Sequence, residues 1–218
     1  MATNTYVALA TQTLGTATAS VTFSSIPSGY TDLVVVMGSL GMNATGSAGK
    51  LRFNGDTASN YSNTILYGTG SAAGSYRESN QTNIRIYGAA VGPVANGNND
   101  NTIIHIQNYS NTTTNKTVLV RNNIPASETV ATVGLWRSTA AITSVNIASY
   151  NGTDLFTAGS TFSLYGIAAA SVGAKATGGT VYSDSSYFYH VFAGNGTFTP
   201  SQSISADILV VAGGGGGA

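Results

Sequence analysis

Apolar and polar residues alternate along most of this chain, and no window repeats its apolar residues with the period of a helix. Side chains of a β-strand point alternately to opposite faces, so a period of two makes a half-buried strand and leaves no stripe for a helix to bury. Gly, Asn and Thr interrupt every segment, which keeps the predicted strands short. They run Tyr6–Ala10, Ser20–Phe23, Asp32–Ser39, Leu51–Asn54, Thr64–Tyr67, Asn83–Tyr87, Thr102–Asn108, Thr117–Asn122, Thr129–Trp136, Ile142–Ala148 and Thr161–Ile167. Ile26-Pro27-Ser28-Gly29, Asn54-Gly55-Asp56 and Tyr150-Asn151-Gly152-Thr153 supply turn chemistry between them. Short strands at irregular spacing with no fixed repeat favour a sandwich over a propeller or a solenoid. Long connections such as Gly88–Asn101 favour a jelly roll within that class.

Two strands break the alternation. Leu33-Val34-Val35-Val36-Met37 and Ile208-Leu209-Val210-Val211 are apolar on both faces, whereas one face of a two-layer antiparallel sandwich should meet water. Charged residues that would protect sheet edges are scarce. A second buried face implies a strand covered by the chain's own loops or an interface between copies, and the scarcity of edge charges favours copies. Ala168–Gly179 is rich in small residues and reads as a linker. The predicted organisation is all-β: a jelly-roll-like antiparallel β-sandwich over residues 1–167, a linker over 168–180, and a short β and glycine-rich unit over 181–218.

Charge narrows the partners. Only 7% of the residues are charged, against roughly 25% in an ordinary soluble protein, and eight basic residues balance eight acidic ones. These are scattered singly, which argues against a nucleic-acid partner, since phosphates call for clustered Lys and Arg. No apolar stretch approaches the length of a membrane span, so no membrane insertion is expected. The first residues, Met1-Ala2-Thr3-Asn4-Thr5-Tyr6-Val7, lack the basic start and apolar run of a signal peptide, and there is no cysteine for a disulfide framework. The Asn-x-Ser/Thr sequons at Asn43, Asn60, Asn80, Asn108, Asn111, Asn115, Asn151 and Asn195 read as consequences of an Asn-, Ser- and Thr-rich composition.

No motif for chemistry emerges, and no cofactor or metal is expected. There is no Gly-x-Ser-x-Gly elbow, and His105 and His190 each alternate with apolar neighbours like sheet-face residues. The acids Asp32, Asp56, Glu78, Asp100, Glu128, Asp154, Asp184 and Asp207 are dispersed, mostly at expected turn positions. A glycosidase would need two of them to converge. Val94–Asn101 is rich in oxygen donors but lacks the several carboxylates of a tight calcium site, so it reads as a solvated loop. Gly68–Gly74 has the wrong glycine spacing for a phosphate loop and reads as a flexible connection. Aromatics remain: Tyr61, Tyr67, Tyr76, Tyr109 and Tyr150 lie at or near predicted loop ends, where tyrosine could stack on a sugar face. The same residues suit half-buried strands and subunit interfaces equally well.

The end of the chain carries a resemblance. Tyr187–Phe192 reads as a strand, Ala193–Gly196 as a turn and Thr197–Pro200 as a strand restart, and Ala206–Ala212 runs as an apolar strand into Gly213–Gly217. From His190 onward the pattern HVFAGNGTFTPSQSISADILVVAGGGGG resembles the glycine-rich C-terminal modules of tailed-phage tail fibres and related virion appendage proteins. The resemblance implies a non-enzymatic virion part, made in the host cytoplasm, that forms a homotrimer, joins other virion proteins and supports attachment to a host surface glycan. In such modules the glycine tract continues, which implies chain beyond Ala218. A capsid decoration protein and a polysaccharide-degrading appendage stand as alternatives.

Overall fold

Among the described residues the first part of the chain forms twelve strands. A computed structural model describes residues 5–43, 48–86, 100–124, 128–168, 174–184, 187–201 and 203–211, and among these there is no helix. The chain divides into two compact units, Met1–Ala169 and Ala170–Ala218. The first holds β1 (Tyr6–Thr13), β2 (Ser20–Phe23), β3 (Asp32–Leu40), β4 (Gly49–Phe53), β5 (Tyr61–Gly68), β6 (Ala73–Gln81), β7 (Ile84–Arg85), β8 (Asp100–Gln107), β9 (Lys116–Ile124), β10 (Glu128–Trp136), β11 (Val145–Ser149) and β12 (Thr161–Ile167).

These form an antiparallel sandwich. One sheet has eight strands in the order β1-β12-β3-β8-β9-β10-β5-β6, the other four in the order β2-β11-β4-β7. Setting aside β5, β6, β9 and β10 leaves β1-β12-β3-β8 and β2-β11-β4-β7, with the chain passing back and forth between the sheets. That is the strand order of an eight-stranded jelly roll. The remaining strands are two insertions, β5–β6 between β4 and β7 and β9–β10 between β8 and β11. They join through the β10–β5 pairing and widen the first sheet by four strands.

The core lies between the two sheets and follows the alternation. Leu33, Val35, Met37, Ile104, Val120, Phe162 and Leu164 of the larger sheet pack in one cluster with Val21, Phe23, Leu51, Phe53, Val145 and Ile147 of the smaller. Strands β4 and β11 bury every second residue, and β10 does so over its whole length. Phe53, Tyr61 and Trp136 close one part of the core as an aromatic group with ring centroids 5.5 to 6.5 Å apart. Next to it, Gly134 of β10 lets the Ile84 side chain of β7 rest against the backbone: a Cβ there would lie 2.7 Å from Ile84 Cγ2.

Several expectations need correction. Strand β6, AGSYRESNQ, has almost no apolar residue to alternate and lies outside the predicted strands, yet it pairs with β5 along the sheet edge. The Gly68–Gly74 connection is a tight turn rather than a flexible one, closed by the Thr69 amide donating to the Ala72 carbonyl at 2.9 Å. Of the acids expected mostly at turns, Asp32, Glu78, Asp100 and Glu128 sit on strands. Most of the oxygen-rich stretch Val94–Asn101 lies outside the described residues; its last two, Asp100 and Asn101, begin β8.

The second unit holds two small sheets, β13 (Ala176–Thr177) with β16 (Thr199–Pro200) and β14 (Thr180–Ser183) with β15 (Phe188–Val191). Strand β13 thus lies inside the stretch expected to be a linker. His190 Nδ1 lies 2.8 Å from the Gly178 carbonyl oxygen, and its ring meets Phe198 edge-on at 5.0 Å. Gly178 has φ of 110°, and a Cβ there would strike the Thr197 carbonyl, so only glycine fits. The expected strand at Ala206–Ala212 does not form over its described part: residues 206–211 pair with nothing described, and Ile208, Leu209, Val210 and Val211 are 82 to 88% exposed.

Candidate functional site

The five tyrosines separate into two groups. Tyr61 and Tyr109 are fully buried, which removes them as sugar-stacking residues. The strand register explains the first: Tyr61 lies opposite Trp136 on the inward face, so its ring enters the core. Its hydroxyl accepts from the Phe53 amide and donates to the Asp56 carbonyl, each at 3.2 Å, and burial pushes its pKa up to about 12. Tyr109 donates its hydroxyl to the Pro27 carbonyl. Tyr67, Tyr76 and Tyr150 remain half-buried. Tyr67 lies across Gly74 of the neighbouring strand, where a Cβ would come within 2.6 Å of its hydroxyl oxygen.

Tyr150 belongs to the densest polar group in the described sandwich. Arg85 of β7 grips Glu78 of β6 with two nitrogens, Nη2 to Oε1 at 2.9 Å and Nε to Oε2 at 3.3 Å. Its Nη2 also donates to the Tyr150 hydroxyl at 3.1 Å, and its guanidinium carbon stands 4.3 Å from the centre of the Tyr150 ring. Asn63 of β5 completes the group, donating to Glu78 Oε2 at 3.1 Å and accepting from the Arg85 amide at 3.2 Å. Burial alone would pull the Arg85 pKa down, but the Glu78 carboxylate, with smaller contributions from Tyr150 and Tyr76, more than offsets this and holds it above its usual range. Lys50 Nζ donates to the Tyr150 carbonyl at 2.9 Å. Arg85 and Glu78 answer each other's charge, while Lys50 has only a carbonyl partner. The group ties the inserted β5–β6 hairpin to the smaller sheet, and Tyr150 is the part of it that a ligand could also touch.

Asp56 accepts from Asn60, Trp136 Nε1 and the Ala58 amide, which together hold it below the usual carboxylate range, the Asn60 bond most of all. Glu128 is only 5% exposed, and among the described residues neither of its carboxylate oxygens has a hydrogen-bond partner. Burial pushes its pKa up. His105 Nε2 lies 3.4 Å from Asp32 Oδ2 on the outer surface of the larger sheet. Among the described residues no group of three His, Asp or Glu side chains could hold a metal ion. A shallow depression of about 290 Å³ beside β1 is lined by residues such as Leu9, Thr11, Phe23 and Pro27 and by no titratable side chain.

The largest unassigned feature is the outer face of the eight-stranded sheet. One row across it reads Thr64, Val133, Leu119, His105, Val34 and Tyr165, each opposite the next in register. The adjoining row reads Leu66, Ala131, Arg121, Ile103, Val36 and Ser163. Within these rows Val36, Leu119, Val133 and Leu66 are 36, 38, 52 and 54% exposed. Sequence reading reached Val34 and Val36 of this face and passed over the others, although Val118-Leu119-Val120 carried the same signal of three successive apolar residues. In comparisons with family models, curated proteins and solved structures, nothing matches this chain.

Proposed function

We propose that this protein is a non-enzymatic structural part of a bacteriophage virion, a tail-fibre or appendage segment that assembles as a homo-oligomer and supports attachment to the host. The observation that carries the reading is the surface of the second unit. Val181, Tyr182, Tyr187, Phe188, Tyr189, Val191 and Phe192 are all exposed there, and Ala176 is its one buried hydrophobic residue among those described. A unit of this size that buries so little apolar surface gains too little to order itself alone, and contacts with further copies supply what it lacks. The glycine-rich sequence from His190 onward and the near-absence of charge agree with an assembled part that works outside the cell. A homotrimer is the arrangement that the resemblance implies. Attachment would then work by multivalency, several weak glycan contacts adding through high effective concentration. Tyr150, Tyr67 and Tyr76 are the remaining residues of the original five for such contacts.

A capsid decoration protein is the second reading, because the jelly-roll strand order recurs in viral capsid proteins. Antibody raised against residues 1–168 and imaged on particles of the encoding phage separates the two. Label at the tail is expected, label over the head would favour decoration, and unlabelled particles would sink both. A polysaccharide-degrading role draws no support from the described carboxylates, and an assay for shortening of capsular polysaccharide tests it directly.

A further inference from the structure

We propose that the outer face of the eight-stranded sheet is an interface that a second copy of this chain covers, sheet against sheet. The inference rests on the self-association proposed above and assigns it to a surface of the jelly-roll unit.

Three observations carry it. The exposed apolar side chains pair across neighbouring strands: Leu119 and Val133 lie directly opposite each other, Val36 lies opposite Ile103, and Leu66 lies opposite Ala131. Soluble monomers rarely leave such a patch on the middle of a sheet. The area also suffices. Eight strands about 4.8 Å apart and about 25 Å long make a face of roughly 950 Å². A standard stable interface buries roughly 800 Å² on each partner.

The polar groups of the face fit a like partner as well. Asp32 is already occupied by the Asn108 amide at 2.7 Å and by His105, so it presents no free carboxylate to a basic partner. Arg77 lies on the edge strand, where it would stand at the rim of a sheet-on-sheet contact. Arg121 lies between Ile103 and Ala131, where its aliphatic stem can cover apolar surface while its head reaches water. Zero net charge adds no repulsion between copies. The four added strands gain a purpose in this arrangement: Leu66, Leu119 and Val133 all lie on β5, β9 and β10, so the insertions supply most of the contact.

The test uses the full chain. Leu119→Glu and Val133→Glu change positions exposed in the single chain and should leave the circular-dichroism spectrum nearly unchanged. Light scattering at about 10 µM should show at least two copies for the parent and a clear fall in mass for each variant. Because the chain has no cysteine, Leu119→Cys labelled with pyrene provides a second readout that adds no charge. Facing sheets bring two labels together, and excimer emission is expected. A parent of two or more copies whose mass survives both charge variants, with no excimer, would overturn this interface and leave the assembly reading standing. A parent that runs as a single copy would overturn both.

Discussion

Glu128 enters the core without a partner among the described residues, and its cost has a definite sign. Its folded-state pKa is raised above the ordinary value of 4.5, so the folded chain holds this proton more tightly than the unfolded chain does. The penalty is therefore full at pH values above the raised pKa and is relieved as pH falls towards 4.5. Glu128→Gln should raise stability at pH 7 by about 1–2 kcal/mol and flatten its change between pH 7 and 5, as read from urea midpoints. Equal gains for this variant at both pH values would contradict the account. Asp56 acts in the opposite sense: its lowered pKa contributes stability above the ordinary value of 3.8 and loses it below, so the two windows do not overlap. Gly134 makes a steric prediction. Gly134→Ala drives a methyl group into Ile84, itself fully buried, and should cost about 1–3 kcal/mol. A urea midpoint equal to that of the parent would mean that β7 is free to move away.

Among elements, the inserted β5–β6 hairpin depends on its clasp. Arg85→Met leaves the Glu78 carboxylate with Asn63 alone and should cost about 1–3 kcal/mol, less than the 3–5 of a fully buried pair because both side chains keep some contact with water. Amide exchange in β6 should rise most, and Arg85→Met/Glu78→Gln should recover part of the loss. Uniform exchange across the sandwich would count against a local clasp. Elements were legible where alternation marks a half-buried strand: β2 and β12 have the bounds expected of Ser20–Phe23 and Thr161–Ile167. The polar edge strand β6 was not, because hydrogen bonding to β5 makes it a strand and its side chains carry no period. Ile208–Val211 failed in the reverse sense, since an apolar run becomes a strand only where a partner strand lies beside it. The tyrosines show why the site was harder to read than the fold. Position near a loop end cannot separate Tyr61, which the β5–β10 register turns inward, from Tyr150, which Arg85 holds at the surface.

At the scale of the molecule, the two units solve burial differently. The jelly-roll unit closes a continuous core between its sheets, whereas the second unit leaves nearly all its described hydrophobic side chains in solvent. Zero net charge makes an isolated copy prone to associate. Self-association is the one proposal that the apolar sheet face and the exposed second unit both support. The solution mass of the full chain, measured by light scattering during size exclusion at about 10 µM, tests it most directly. The account predicts a mass at least twice the 22.1 kDa of one chain. A stable species of one chain would contradict it.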